Sequence, residues 1–302
     1  MFPYVVAVLA CLLFVLYEPL VEYVSDSFIC DGGATTSRHH HRVIPRGPRP
    51  PINESLLAVA AVNGTATADE CPPDAYVAHV LSRAPLVLYV EGFLSEAERA
   101  HLLDVSEPLF EPSTVTSDGA ATRRDAAVRD SEVALVPRTA PVRCLERRAA
   151  ALQGWRADLW VERLRTQRYR GPAGHYAHHF DWGSGARGWG RVSSVMAWVH
   201  ADEDLEGGGT EFPLLRWRAD RKRWCERWLE CPPPPPPDGD GEDGGFEDYV
   251  GATFRPVPGN AVFWENFRPD GTGVGWEESW HAGLPVKRGV KVGLNIWSWG
   301  RL

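Results

Sequence analysis

The later half of the chain is cut by glycines into short β-branched and aromatic runs, and that pattern restricts the fold more than any other feature. Residues 193–200, 253–255, 260–264 and 290–299 each read as a strand. Several short strands joined by glycine-rich turns point to a sandwich or barrel. Upstream, the apolar run 86–90 reads as a buried strand. Ser95 with Glu98 three residues on forms a capping box, which predicts a helix through about Asp104. A second helix is predicted over 142–153, rich in Ala, Leu, Glu and Arg. The expected class is therefore mainly β with flanking helices (α+β). The folded domain is expected over 84–302.

The N-terminus has a different character. Residues 2–16 carry no charge, and Glu18 and Glu22 follow. The run is short for a membrane span of about 20 residues. It also suits the apolar core of a signal peptide, yet no clear small-residue cleavage site follows it. The preferred reading is an uncleaved signal anchor over residues 1–24, with a cleaved signal peptide as the alternative. Residues 25–83 read as a proline-rich linker, in which His39-His40-His41 is a solvated tether rather than a metal site. No Lys or Arg precedes the apolar run, so charge bias does not favour a lumenal C-terminus. Two sequons, at Asn53 and Asn63, argue the other way. Together they predict a single-pass protein of the endoplasmic reticulum or secretory pathway, with a lumenal C-terminal domain.

The formal net charge of -8, with Arg mixed among Asp and Glu, shows no basic stripe and gives no nucleic-acid signal. The cysteine spacings match no zinc signature. Cys225 and Cys231 are either a short-loop disulfide or two free thiols. Residues 215–250 carry Trp217, Trp224 and Trp228, then Pro232 to Pro237, then an acidic glycine-rich stretch. This reads as a surface insertion between strands. Nothing in the sequence indicates an oligomeric state.

The chemistry begins at His179-Phe180-Asp181. In a strand, alternate side chains share a face, so His179 and Asp181 can converge while Phe180 turns away. His175 and His178 lie close by, but His178 has the wrong parity. A third ligand would complete a two-histidine, one-carboxylate facial site, which suits iron(II). His281, which lies 281 − 181 = 100 residues beyond Asp181, is the candidate.

The surrounding residues sharpen this. Arg168-Tyr169, then Gly174 and 175–181, resemble the central motif of the prolyl 4-hydroxylase family of 2-oxoglutarate dioxygenases. Residues 191–199 look like the strand that follows it. Gly207-Gly208-Gly209-Thr210-Glu211-Phe212-Pro213 is similar to the family's Gly-Gly-x-Thr-x-Phe-Pro turn, and 258–264 to its Gly-Asp-Ala-x-x-Phe segment. His281-Ala282-Gly283-Leu284-Pro285-Val286, Lys291, Asn295 and Trp297 match the distal motif. The resemblance covers roughly 84–302 and implies a double-stranded β-helix (jelly-roll) core. It implies that His179, Asp181 and His281 bind Fe(II) and that Lys291 binds the far carboxylate of 2-oxoglutarate. Tyr169 and Thr210 would donate hydroxyl hydrogen bonds to that carboxylate, and Trp297 would sit near the pocket. Arg191 would face substrate. Departures include one extra residue between Tyr169 and His179, His178 in place of the usual Pro, Leu284 in place of Cys, and Gly209 where an acidic residue is common.

The implied activity is O2-dependent hydroxylation of a C–H bond, coupled to conversion of 2-oxoglutarate to succinate and CO2, with ascorbate as reductant. A proline-containing peptide or protein is the expected partner, giving 4-hydroxyproline. The alternatives are another amino-acid side chain or a small metabolite as target, and an inactive lumenal module that binds proline-rich peptides.

Overall fold

The computed structural model describes residues 57–58, 71–117, 121–154, 156, 159–182, 188–231 and 248–302, all within one unit spanning 45–302. The apolar segment, both sequons, His39 to His41 and Pro232 to Pro237 lie outside the described residues. Among the described residues, no helix is long and apolar enough to cross a membrane.

The elements that shape the site are, in chain order, β1 (Val77–Arg83), β2 (Leu86–Glu91), α1 (Glu96–Ser106), β3 (Glu132–Leu135), α2 (Ala140–Ala151), β4 (Arg165–Arg170), β5 (His175–His179), β6 (Trp189–Ala201), β7 (Thr210–Arg218), α3 (Arg221–Arg227), β8 (Asp248–Phe254), β9 (Ala261–Glu265), β10 (His281–Gly283) and β11 (Val290–Arg301). The larger sheet runs β1-β2-β9-β6-β11-β4-β3, with Glu111–Pro112 beyond β3 and Trp160–Val161 paired to β11. The smaller runs β8-β7-β10-β5, ending on Arg129–Asp130. Every pairing is antiparallel. The fold is mainly β, with few helices, and two sheets share a core as a jelly-roll requires.

Period-2 alternation divides the large sheet between two cores. On β6, Val195, Ala197 and Val199 pack with Leu102 of α1 and Val142 and Leu145 of α2. Trp198 instead enters the space between sheets, with Phe212, Phe254 and Trp264. The same rule sends Val292, Leu294 and Ile296 of β11 to the helix side. Lys291, Gly293, Asn295 and Trp297 therefore face the smaller sheet, where the site lies.

The capping box at Ser95 and Glu98 forms as the sequence indicates. Glu98 also receives Arg148 of α2 at 2.9 Å, while Arg148 reaches Asp74 at 2.6 Å. Both ends of the Glu98–Arg148 pair are buried, so each depends on the other to avoid an uncompensated charge. The helix layer is thereby locked to itself and to the chain entering β1.

Three boundaries differ from those read in the sequence. Ordered structure precedes Ala84, because β1 pairs with β2 and Cys71 is disulfide-bonded to Cys144. Within the expected linker, Leu57 is buried beside Trp189 and Trp299 and bridges to Glu162. The Trp-rich part of 215–250 is not a peripheral insertion. β7 continues to Arg218, α3 follows, and Trp217, Trp224 and Trp228 fill the inter-sheet core. Apolar side chains next to a proline run look like surface sequence until their partners, such as Tyr89 on a strand far upstream, are known. Cys225 and Cys231 are bonded, which resolves the open choice.

The Cys71–Cys144 bridge closes a separation of 73 residues, which strongly restricts the unfolded chain. Replacing both cysteines with Ser is expected to lower unfolding free energy by about 2–4 kcal/mol, read by denaturant titration. An unchanged midpoint would show that the bridge does not constrain this fold.

Candidate active site

His179 ends β5 and His281 begins β10, and the two stand directly opposite in the ladder. Their ring centroids are 4.3 Å apart. Asp181 lies two residues past the end of β5, in a turn rather than in the strand from which parity was argued. The convergence survives because the carboxylate is fixed from the large sheet. Its Oδ2 accepts from Ser194 Oγ at 2.7 Å and from Trp297 Nε1 at 3.0 Å. One ligating atom from each of His179, Asp181 and His281 falls within 4.8 Å of the others.

The remaining atoms of these side chains are tied up in ways that suit a metal. His179 Nδ1 lies 2.8 Å from Ala177 O, and His281 Nδ1 lies 2.8 Å from Ser279 O. A carbonyl can only accept, so each Nδ1 carries the proton and each Nε2 presents a lone pair. Those Nε2 atoms lie 3.7 and 3.8 Å from the Asp181 oxygens, too far for hydrogen bonds and right for a shared ion. Burial, then the neighbouring His281, drives the His179 pKa down, keeping its imidazole neutral. Burial alone would raise Asp181, but His281, His179, Arg191 and the Ser194 hydroxyl outweigh it and hold the carboxylate ionised. Two neutral imidazoles and one carboxylate, with open space on the pocket side, are a donor set that fits Fe(II).

Lys291 pairs in register with Tyr169 of β4 and is only 3% exposed. Its Nζ donates to the Gly208 carbonyl and lies 4.9 Å from the Tyr169 ring centroid. Burial pulls its pKa down to about 8, partly opposed by Glu230. Gly208 can offer that carbonyl because the turn before β7 runs through positive φ, 75° at Gly207 and 74° at Gly208. A Cβ at Gly207 would sit 2.4 Å from Pro285 O. The same turn delivers Thr210, buried at the start of β7, into the pocket. Tyr169 lines the pocket as well, with burial raising its pKa and Arg129 and Ser131 opposing that rise.

His178 has the parity that sequence assigned it. It turns outward to Glu211 at 2.7 Å. Arg191 lies beyond a register shift in β6 and turns toward Trp297. There its guanidinium lies 4.1 Å over the Trp297 ring, and Nε and Nη2 donate to Glu162 at 2.6 and 3.0 Å. Arg191 thus braces Trp297, which in turn orients Asp181.

Residues 164–299 match the family model described as the 2OG-Fe(II) oxygenase superfamily. Those residues form a domain like that of the 2OG-Fe(II) oxygenases, and the chain resembles the prolyl 4-hydroxylases among them. The oxygenase is 24% identical over 248 residues to prolyl 4-hydroxylase 5 of Arabidopsis thaliana, spanning 80% of this chain and 78% of that one. It is 26% identical over 226 residues to prolyl 4-hydroxylase 1 of the same plant, spanning 72% and 70%. Among solved structures, the viral collagen prolyl hydroxylase of Paramecium Bursaria Chlorella virus-1, in its 2OG complex, superposes with a TM-score of 0.46 and 18% identity, over 72% of this chain and 96% of that one. A prolyl-4-hydroxylase of Pseudomonas putida gives 0.42 and 16%, over 73% and 95%.

Three contributors to the oxygenase site escaped sequence reasoning. Ser194 was findable, since counting by twos from Trp198 puts it on the inner face of β6. Tyr176 stacks on His179 with centroids 3.7 Å apart, and Arg129 covers Tyr176 at 4.6 Å. Arg129 joins only because its short strand pairs with β5, and no local signal announces that. A prediction follows for Trp297. Trp297→Phe keeps the ring beneath Arg191 but removes the donor to Asp181. Metal affinity is expected to fall by about 10- to 100-fold, as for other losses of ligand-orienting groups. Metal retention during dialysis against a graded chelator measures this, and full retention would make the indole N–H irrelevant.

Proposed function

We propose that His179, Asp181 and His281 ligate Fe(II), that Lys291 with Thr210 and Tyr169 takes the distal carboxylate of 2-oxoglutarate, and that the enzyme converts peptidyl proline to 4-hydroxyproline. The observation that carries the metal assignment is the convergence of three donor atoms within 4.8 Å, with both Nδ1–H groups committed to carbonyls. When bound, the iron and its cosubstrate supply the oxidation of the C–H bond, with O2 consumed and succinate and CO2 released; ascorbate serves as reductant. The chain supplies position and dryness. Lys291 offers a fixed positive charge in a buried pocket, where charge-assisted hydrogen bonds are strong. Ser194 and Trp297 leave one carboxylate oxygen of Asp181 for the metal. Tyr176 and Trp297 line the pocket and confine the approach of substrate, with Arg191 bracing the Trp297 ring.

Proline as target is supported by the names of the relatives, which are prolyl 4-hydroxylases. A hypoxia-inducible-factor peptide is bound by the Trichoplax adhaerens prolyl hydroxylase among the solved structures. We further propose that residues 1–24 anchor the chain and that the residues after them tether a lumenal catalytic domain whose ordered part already includes the disulfide-bonded Cys71 and β1. The two sequons and two disulfides support an oxidising, lumenal setting. Mass spectrometry of proline-rich peptides incubated with enzyme, iron, ascorbate and 2-oxoglutarate tests the substrate. One added oxygen on proline is expected. Succinate formation without a mass shift would move the activity to another target. Glycosidase sensitivity and resistance to alkaline extraction of the full chain test the anchor.

A further inference from the structure

Glu230 lies outside every motif considered so far, yet its side chain ends against the glycine turn before β7. Gly209 has no side chain, and a Cβ built there would lie 2.8 Å from Glu230 Oε1 and 2.6 Å from Thr253 Cγ2. The preceding glycine abuts the lysine. A Cβ on Gly208 would lie 3.5 Å from Lys291 Cδ and 3.7 Å from Cε, and the Gly208 carbonyl accepts from Nζ. Lys291 and Glu230 therefore flank consecutive glycines of one turn. Glu230 is held there. Its backbone N–H donates to Thr253 O at 2.8 Å, Leu229 before it is buried, and Cys231 after it is bonded to Cys225.

We propose that Glu230 is a positioning residue, the counter-charge that keeps Lys291 an ammonium ion in the pocket before 2-oxoglutarate arrives. The proposal rests on Lys291 being the clamp for the distal carboxylate. A buried lysine without an anion nearby tends to shed its proton, and a neutral amine offers the incoming dicarboxylate no charge. The Tyr169 ring on β4 and Thr210 on β7 also face Lys291 and bring no negative charge near neutral pH, while Asp181, the carboxylate lining the same pocket, is engaged by Ser194 and Trp297. Glu230 is the charged group that opposes the downward pull of burial on Lys291. Burial raises the Glu230 pKa above the usual carboxylate value, Arg255, Lys291 and Lys287 oppose that rise, and Glu211 adds to it. Because Gly209 lacks a Cβ, the carboxylate can approach the turn at all.

The test reads binding rather than turnover. 2-Oxoglutarate is titrated calorimetrically into the zinc-loaded full-length protein between about pH 6.5 and about pH 9.5, bracketing the lysine titration. In the wild type, affinity is expected to decline above a pH of about 8 as free Lys291 loses its proton. Glu230→Gln is expected to move that decline roughly one pH unit lower, with an unchanged melting temperature. Glu230→Asp is expected to keep most of the wild-type profile. Gly209→Ala, which pushes the carboxylate aside by its methyl group, is expected to shift the profile as Glu230→Gln does. If Glu230→Gln follows the wild-type curve while Lys291→Ala loses affinity, the counter-charge role is overturned and the clamp stands. If Lys291→Ala binds like the wild type, the clamp itself is overturned, and the role of Glu230 with it.

Discussion

Lys291→Ala is expected to raise the KM for 2-oxoglutarate by about 10- to 150-fold, while kcat falls less. The range follows from a hydrogen bond to a charged group, worth about 1.5–3 kcal/mol, at about 1.4 kcal/mol per tenfold. The lysine is only 3% exposed and lines the pocket, so its charge acts where water does not screen it. Stability should move the other way. In the empty pocket the ammonium has given up most of its hydration, with the Gly208 carbonyl, the Tyr169 ring and the Glu230 carboxylate as partial replacements. Lys291→Met keeps the stem and removes that cost, so its melting temperature is expected to equal or exceed that of the wild type. A KM unchanged in Lys291→Ala would remove the lysine from cosubstrate binding. A large drop in melting temperature for Lys291→Met would mean that the residue is chiefly structural.

Asp181→Asn is expected to abolish turnover and to lower iron affinity by more than about 100-fold. That bound exceeds the 10- to 100-fold cost of losing a group that only orients a ligand. The substitution is isosteric, and its effect is directional. Ser194 Oγ and Trp297 Nε1 both donate to the same carboxylate oxygen, at 2.7 and 3.0 Å. The amide oxygen must take that place, which turns the NH2 toward His179 Nε2. An amide nitrogen there cannot coordinate, and the site has lost its negative charge. Metal analysis after dialysis, beside succinate production, measures both effects. Normal iron content in this variant would refute the ligand assignment. Its fold should persist, because removing a buried charge from between two neutral imidazoles does not strand a partner charge.

Much of this was legible without coordinates. The capping box at Ser95 and Glu98 is a local device, and a local device can be read from a few residues. The strands over 193–200 and 290–299 were legible because both are long runs rich in β-branched and aromatic residues. Parity was enough to choose His179 over His178, since alternation across a strand is a property of the backbone. What parity missed was the end of β5 at His179, which puts Asp181 in a turn. The carboxylate still converges because its position is set from β6 and β11, strands that the dipeptide step from His179 to Asp181 says nothing about.

The sequence alone determined the mainly β class and singled out His179, Asp181, His281 and Lys291 as candidates, because strand periodicity is a property of the backbone and the family-like motifs are each contained in one short segment. The tertiary structure decided which side chains complete them. The Cys71–Cys144 bridge, the Glu162–Arg191–Trp297 brace on Asp181, the Trp217, Trp224 and Trp228 core and the Glu230 contact at Gly209 all join segments that are distant along the chain. Contacts of that kind depend on sheet order and register, which a linear pattern leaves open until the strands have paired.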